Sequence, residues 1–277
     1  MLNLENTGSA LDGLHRRFLD DAFPPELSTA AFSALSERSY TEEERQDGRA
    51  AWELRALDEY RSQVGFTELL MELTELGFAF DVLGVAVRIV RDEARHVELC
   101  RRMVRALGGS GVIDQDPVYV RSDPAQPLMK RVLHTVVGSL CGGETFSVRI
   151  LAAVREETRD PTARAVVTCL AADESIHSQF GWTLLRLLVP HLSDSDRAEI
   201  SELLPGVLAA CESLMTRPDT SGGEHALAAA TVNPFGCLSD RRRNEVFHDS
   251  LERDVLRRFA ELGFDARAAW DARHRST

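Results

Sequence analysis

The pattern Asp-Glu-x-x-His occurs twice in this chain, as Asp92-Glu93-Ala94-Arg95-His96 and as Asp173-Glu174-Ser175-Ile176-His177. On an α-helix, residues three apart share a face, so each copy presents a carboxylate and an imidazole that can grip one cation. A single Glu-x-x-His is common by chance. Two copies constrain the fold, because each also has a glutamate about one helix-turn-helix upstream, Glu59 before Glu93 and Glu144 before Glu174.

Antiparallel helices place side by side those residues that lie equally far from the connecting turn. Gly77 is the expected turn of the first pair, which puts Glu59 and Glu93 about 27 and 24 Å from it at 1.5 Å per residue. Asp160-Pro161 is the expected break of the second pair, and Glu144 and Glu174 are level to within about a turn. Six residues therefore converge: Glu59, Glu93, His96, Glu144, Glu174 and His177. Four carboxylates facing one apolar core repel each other and are poorly solvated unless cations compensate them. Two divalent metals supply that charge.

A Glu from each of two helices plus Glu-x-x-His from two others is the donor set of di-iron and di-manganese bundle cores. On these residues the chain resembles the ferritin-like di-iron carboxylate superfamily over roughly residues 42–190. The resemblance implies an all-α, ferritin-like four-helix bundle with N-terminal and C-terminal helical extensions. It implies two iron ions, with two manganese or a mixed Mn/Fe pair as alternatives. Glu93 and Glu174 would bridge, Glu59 with His96 and Glu144 with His177 would be terminal ligands, Asp92 would hold His177, and Asp173 would hold His96. The activity implied is that of an oxygenase or oxidase using O2 on a small organic substrate by hydroxylation, N-oxidation, desaturation or oxidative cleavage, as in biosynthetic tailoring. No flavin, nicotinamide or iron–sulfur motif is visible, so an external electron donor, a reductase or a ferredoxin, is expected. Ferroxidase, peroxide-handling, iron-storage and dimanganese catalase functions share the ligand types, and a metal-stapled scaffold is a non-enzymatic alternative. Two departures narrow the resemblance. Cys100 stands where ribonucleotide reductase small subunits typically carry a radical-forming tyrosine, and Leu170 where some di-iron N-oxygenases carry a third metal histidine.

A net charge of −12 argues against a nucleic-acid backbone as partner, and against an acidic carrier protein unless a local basic patch overrules the total. Lys130 is the one lysine. Five widely spaced cysteines indicate no disulfide framework. The polar, acidic start and the lack of an apolar run of about 18–20 residues point to a soluble, cytoplasmic protein without a membrane span. A homodimer is among the assemblies the sequence allows.

One domain is expected over residues 1–277, with a helical lead-in (1–40), the bundle (42–190) and a C-terminal extension (191–277). The lead-in reads as helices at Ser9–Phe23 and Glu26–Glu37, separated by Pro24-Pro25. Thr41 and Glu44 form a capping box for a helix running to Leu76, whose buried side is Trp52, Leu54, Ala56, Glu59, Phe66, Leu69, Leu70 and Leu73. A second helix spans Phe80–Leu107 and stops at Gly108-Gly109; residues 108–125 cross over. A third spans Gln126–Arg159, and a fourth runs from Thr162 to Leu188 behind Pro161. Helical patterns follow at Asp194–Met215, Arg242–Leu262 and Asp265–Arg273, with Pro218–Gly223 and Asn233–Gly236 loose between them. Gly142-Gly143 beside Glu144 signals an opened path, a distorted helix or close packing. Cys100, Cys141, Ser62 and Ser147 are pocket candidates by position, whereas His15, His134, His191, His225, His248 and His274 lack a partner at ligand spacing.

Overall fold

Thr41 accepts the Glu44 backbone N–H at 3.1 Å while the Glu44 carboxylate accepts that of Thr41 at 2.9 Å. This capping box opens helix α2 (Glu42–Glu75), as the sequence predicts. The computed structural model describes residues 1–4, 23–114, 123–216 and 233–274. Gly77 takes φ 70° and turns the chain into α3 (Phe80–Ala106), which ends before Gly108 at φ 89°. Both turns need the left-handed backbone region that glycine enters without strain. Leu54 is 37% exposed, contrary to expectation. It stands two residues from both Trp52 and Ala56, about 200° around the helix from each, so it shares neither's face.

The third bundle helix is not the continuous α-helix expected. It comprises α4 (Leu128–Thr135), a π-helical segment at Val136–Gly143, and α5 (Glu144–Glu157). A Cβ on Gly142 would lie 3.2 Å from Cys211 Sγ, so that glycine also serves close packing. Local distortion and close packing, two of the three explanations open for Gly142-Gly143, are both present. The composite Leu128–Glu157 is long and apolar enough to span a bilayer by length and composition, which corrects the expectation that no segment would be. It is mostly buried against the rest of the protein and carries Glu144. The fourth helix, α6 (Pro161–Leu188), starts with Asp160 accepting the Thr162 and Ala163 N–H groups and with Pro161 in its first turn.

Of the lead-in, residues 1–4 and those from Phe23 onward are described; the expected helix Ser9–Phe23 otherwise lies outside the described residues, as do Pro218–Gly223 and residues 115–122 of the crossover. The second lead-in helix is shorter than expected, a 3₁₀ turn at Pro25–Leu27 followed by α1 (Thr29–Glu37), because Ser28 is extended between them. An unforeseen antiparallel pair joins β1 (Leu2–Asn3) to β2 (Val112–Ile113). The extension folds as α7 (Asp194–Met215), α8 (Asp240–Ser250), a π-helical turn (Leu251–Leu256), α9 (Arg257–Glu261) and α10 (Ala266–Ala272). Asn233–Gly236 is not loose. Phe235 is fully buried and its carbonyl accepts the Trp52 indole N–H at 3.1 Å.

Two apolar blocks result. One gathers Phe66, Leu69, Ala86, Ile89, Leu140, Cys141 and Phe180 with the extension; the other gathers Trp52, Ala56, Leu99, Cys100, Ile150, Val167 and Leu170. On each of the four bundle helices, the predicted ligands fall in sequence between residues of the first block and residues of the second. A layer of charge thus divides an otherwise apolar core.

Candidate metal centre

The bundle brings all six predicted residues together. Glu59, Glu93, His96 and Glu174 form one group, and Glu93, Glu144, Glu174 and His177 another, each with ligand-type atoms within 4.8 Å of one another. Glu93 and Glu174 belong to both groups, the position the resemblance gave to bridging carboxylates. All six are buried. His96 turns Nδ1 to Glu59 Oε2 at 3.2 Å and Glu174 Oε1 at 3.5 Å. His177 turns Nδ1 to Glu174 Oε2 at 3.0 Å and Glu93 Oε1 at 3.1 Å.

The outward ring nitrogens face the aspartates crosswise, His96 towards Asp173 and His177 towards Asp92. His96 Nε2 lies 3.3 Å from Asp173 Oδ2, and His177 Nε2 lies 3.8 Å from Asp92 Oδ2, close enough for attraction but too long for a direct hydrogen bond. A carboxylate behind an imidazole fixes its tautomer and raises its basicity. Sequence reasoning missed what holds the aspartates. Arg95 Nη1 donates to Asp92 at 3.2 Å and to Asp173 at 3.5 Å, Arg88 reaches both at 3.0 and 3.5 Å, and Arg91 reaches Asp92 at 3.0 Å. The signal was there: Arg88 and Arg95 stand four before and three after Asp92, on its own helix face. Burial pushes the Asp92 carboxyl up, but His177, Arg88 and Arg91 outweigh it and hold it well below the usual carboxylate range.

This charge layer favours bound protons. Burial, then the Glu174 charge, raises Glu93 to about 8, and its Oε2 has no hydrogen-bond partner. The same two causes raise Glu144 well above its ordinary value. Burial lowers both imidazoles, yet Asp92, Glu174 and Glu93 push His177 up to about 12, and Glu59 with Asp173 and Glu174 drives His96 well up. Burial raises Glu174, but donation from Glu144, His177 and His96 holds it low. Burial and the neighbouring carboxylates thus favour the proton-bearing forms of Glu93, Glu144, His96 and His177, which offset negative charge that divalent cations would otherwise balance. An orphaned carboxylate oxygen beside inward imidazole nitrogens fits iron or manganese.

Leu170 is fully buried in the second apolar block, so the expected gap in the histidine series is filled by packing. Cys100 and Cys141 are buried, and Ser62 and Ser147 half-buried. None of the four lines the cleft of about 510 Å³ that opens beside α5, α6 and α9. Of the other histidines, His134 pairs with Glu199, His274 with Glu212, His248 packs edge-on against Phe247 and Trp270, and His191 is exposed. His15 and His225 lie outside the described residues.

A family model described as P-aminobenzoate N-oxygenase AurF matches residues 83–259, well over half of the chain. The matched span contains both Asp-Glu-x-x-His copies and Glu144, and begins after Glu59. No curated protein and no solved structure matches the chain.

Proposed function

Because the chain belongs to the P-aminobenzoate N-oxygenase AurF family and is thus a ferritin-like di-iron oxygenase, we propose that Glu59, Glu93, His96, Glu144, Glu174 and His177 hold its two irons. We further propose that it oxidises the nitrogen of a small organic amine with O2. The observation that carries the reading is the sharing of Glu93 and Glu174 between two buried four-residue groups, which suits two adjacent metals rather than one. Leu170, apolar where some N-oxygenases have histidine, favours oxygenation at carbon as the second reading.

Two irons held by these six residues would supply the reducing electrons for chemistry with O2. The chain does the rest. Asp173 orients the His96 imidazole from behind and the Asp92 charge attracts the outer edge of His177, while both Nδ1 atoms face inward. Arg95 holds the two aspartates together and couples the halves of the site. The apolar blocks on either side keep bulk water from the charge layer. As ligands, Glu93 and Glu144 would give up the protons that burial favours. Inserting one oxygen atom while the other leaves as water takes two electrons beyond those from the substrate, which a ferredoxin or a reductase would deliver.

The test is anaerobic loading with Fe(II), metal analysis, then O2 with p-aminobenzoate, other arylamines and carbon-only analogues, products being read by mass spectrometry. Two irons per chain and a product heavier by oxygen on nitrogen support the proposal; a product oxidised only at carbon supports the second reading. Hundreds of irons per assembly, or two manganese with rapid peroxide disproportionation, would overturn both.

A further inference from the structure

The cleft beside α5 and α6 shares no residue with the metal groups. Its charged lining is Arg149, Arg186, Arg257 and Arg258 against Asp254 and Glu261. In a chain of net charge −12, this concavity carries a surplus of positive charge. Three of the guanidinium groups are already held. Arg149 binds Asp254 through two bonds of 2.8 and 3.0 Å, Arg257 binds Glu261 at 2.9 Å, and Arg258 lies 5.5 Å over the Trp182 ring. Arg186 and Arg258 have no ion-pair partner among the described residues. Cations fixed in advance lose less entropy when they bind.

The floor adds a donor. Trp182 Nε1–H donates to Thr145 Oγ1 at 2.8 Å, and Thr145 and Ser178 share a hydrogen bond of 2.8 Å. Two hydroxyls have two protons and that shared bond uses one, so one O–H remains to donate at a buried position on the cleft wall. We propose that this cleft is a binding site for the oxyanion of a small organic molecule, a carboxylate or a phosphate, held by Arg186 and Arg258 and by the spare hydroxyl of the Thr145–Ser178 pair. A volume of about 510 Å³ accommodates a ligand of one or two rings. The site gives the C-terminal extension a task, because Asp254, Arg257, Arg258 and Glu261 all come from it.

The experiment uses the metal-free full chain, so its failure leaves the oxygenase reading untouched. The indole N–H signals of ¹⁵N-labelled protein are followed during titration with sodium benzoate and, separately, with inorganic phosphate at constant ionic strength. The Trp182 signal moves saturably with at least one probe, and which probe binds separates carboxylate from phosphate. Arg186→Ala, an exposed change, and Arg258→Ala each weaken that binding about tenfold. Arg241→Ala, at an exposed arginine paired with Glu245, leaves it unchanged. A Trp182 signal that fails to saturate with either probe would overturn the proposal, as would equal affinity in Arg186→Ala and wild type.

Discussion

Gly181 sits in α6 where that helix presses on the π-helical segment, and an added Cβ would stand 2.4 Å from Leu140 Cβ, 3.0 Å from its carbonyl carbon and 3.2 Å from its Cα. Ordinary contact begins near 3.4 Å, so Gly181→Ala forces the Leu140 backbone to retreat by roughly 1 Å. Leu140 is fully buried and cannot turn aside. Overpacking of this kind costs about 1–3 kcal/mol, and a backbone clash belongs in the upper half of that range. Alanine returns up to about 1 kcal/mol of helix propensity. The net loss is about 1–2 kcal/mol, or a melting temperature lower by about 2–8 °C for a chain of this size. Leu140 lies one turn before Glu144, so the same retreat displaces that carboxylate, and metal affinity falls at the Glu144–His177 group before the Glu59–His96 group. Thermal unfolding of metal-free protein by circular dichroism and metal titration read the two effects. Gly84→Ala is the control: nothing lies within 4 Å of its Cβ position, so the same change there raises the melting temperature by about 1–4 °C. If Gly181→Ala melts no lower than wild type and binds metal as tightly, the contact between α6 and the π-helical segment does not position Glu144.

Metal-free protein loses stability as pH rises from about 5 to 8. Native Glu93 keeps its proton up to about 8 and Glu144 is raised too, while unfolded glutamates release theirs near 4.5, so the native state binds more protons across this window. His177, at about 12 against 6.5 unfolded, extends the fall above 6.5. Urea midpoints in chelator should therefore drop steadily from pH 5.5 to 8.5; a flat or rising series contradicts the protonated charge layer. Glu144→Ala or His177→Ala abolishes binding of at least one metal by metal analysis, while His248→Ala, edge-packed in the extension, retains both. Asp160→Ala costs about 2–4 kcal/mol in urea unfolding, since it removes a helix cap and the buried acceptor for Arg38 and Tyr40; a loss under about 1 kcal/mol would show that these bonds are replaced by water.

What the sequence revealed follows from periodicity and helix length. The doubled motif, the level spacing about Gly77 and Pro161, and the Thr41 capping box are local quantities, and the four bundle helices lie where they predict. The crosswise contacts of Asp92 and Asp173 came from the resemblance and from no local rule. The contacts that escaped join residues far apart in the chain. Phe235 fills the space beside Gly48 and Trp52 across more than 180 residues, and β1 pairs with β2 across about 110. The π-helical segment escaped because helix propensity does not distinguish i+4 from i+5 bonding; Gly142-Gly143 showed only that something there was unusual. Leu54 was misplaced by reading hydrophobicity where the helical angle decides. The cleft was invisible because its cations come from α5, α6 and α9, and only their packing brings them together.

The most direct measurement of the central claim is an anaerobic calorimetric titration of metal-free protein with Fe(II) at pH 7, repeated in buffers of different ionisation enthalpy. Two metals per chain, with protons released as the two imidazoles and the carboxyls of Glu93 and Glu144 become ligands, is the expected result. One metal or none, or two taken up without proton release, would contradict a layer of four carboxylates and two imidazoles built to hold a metal pair.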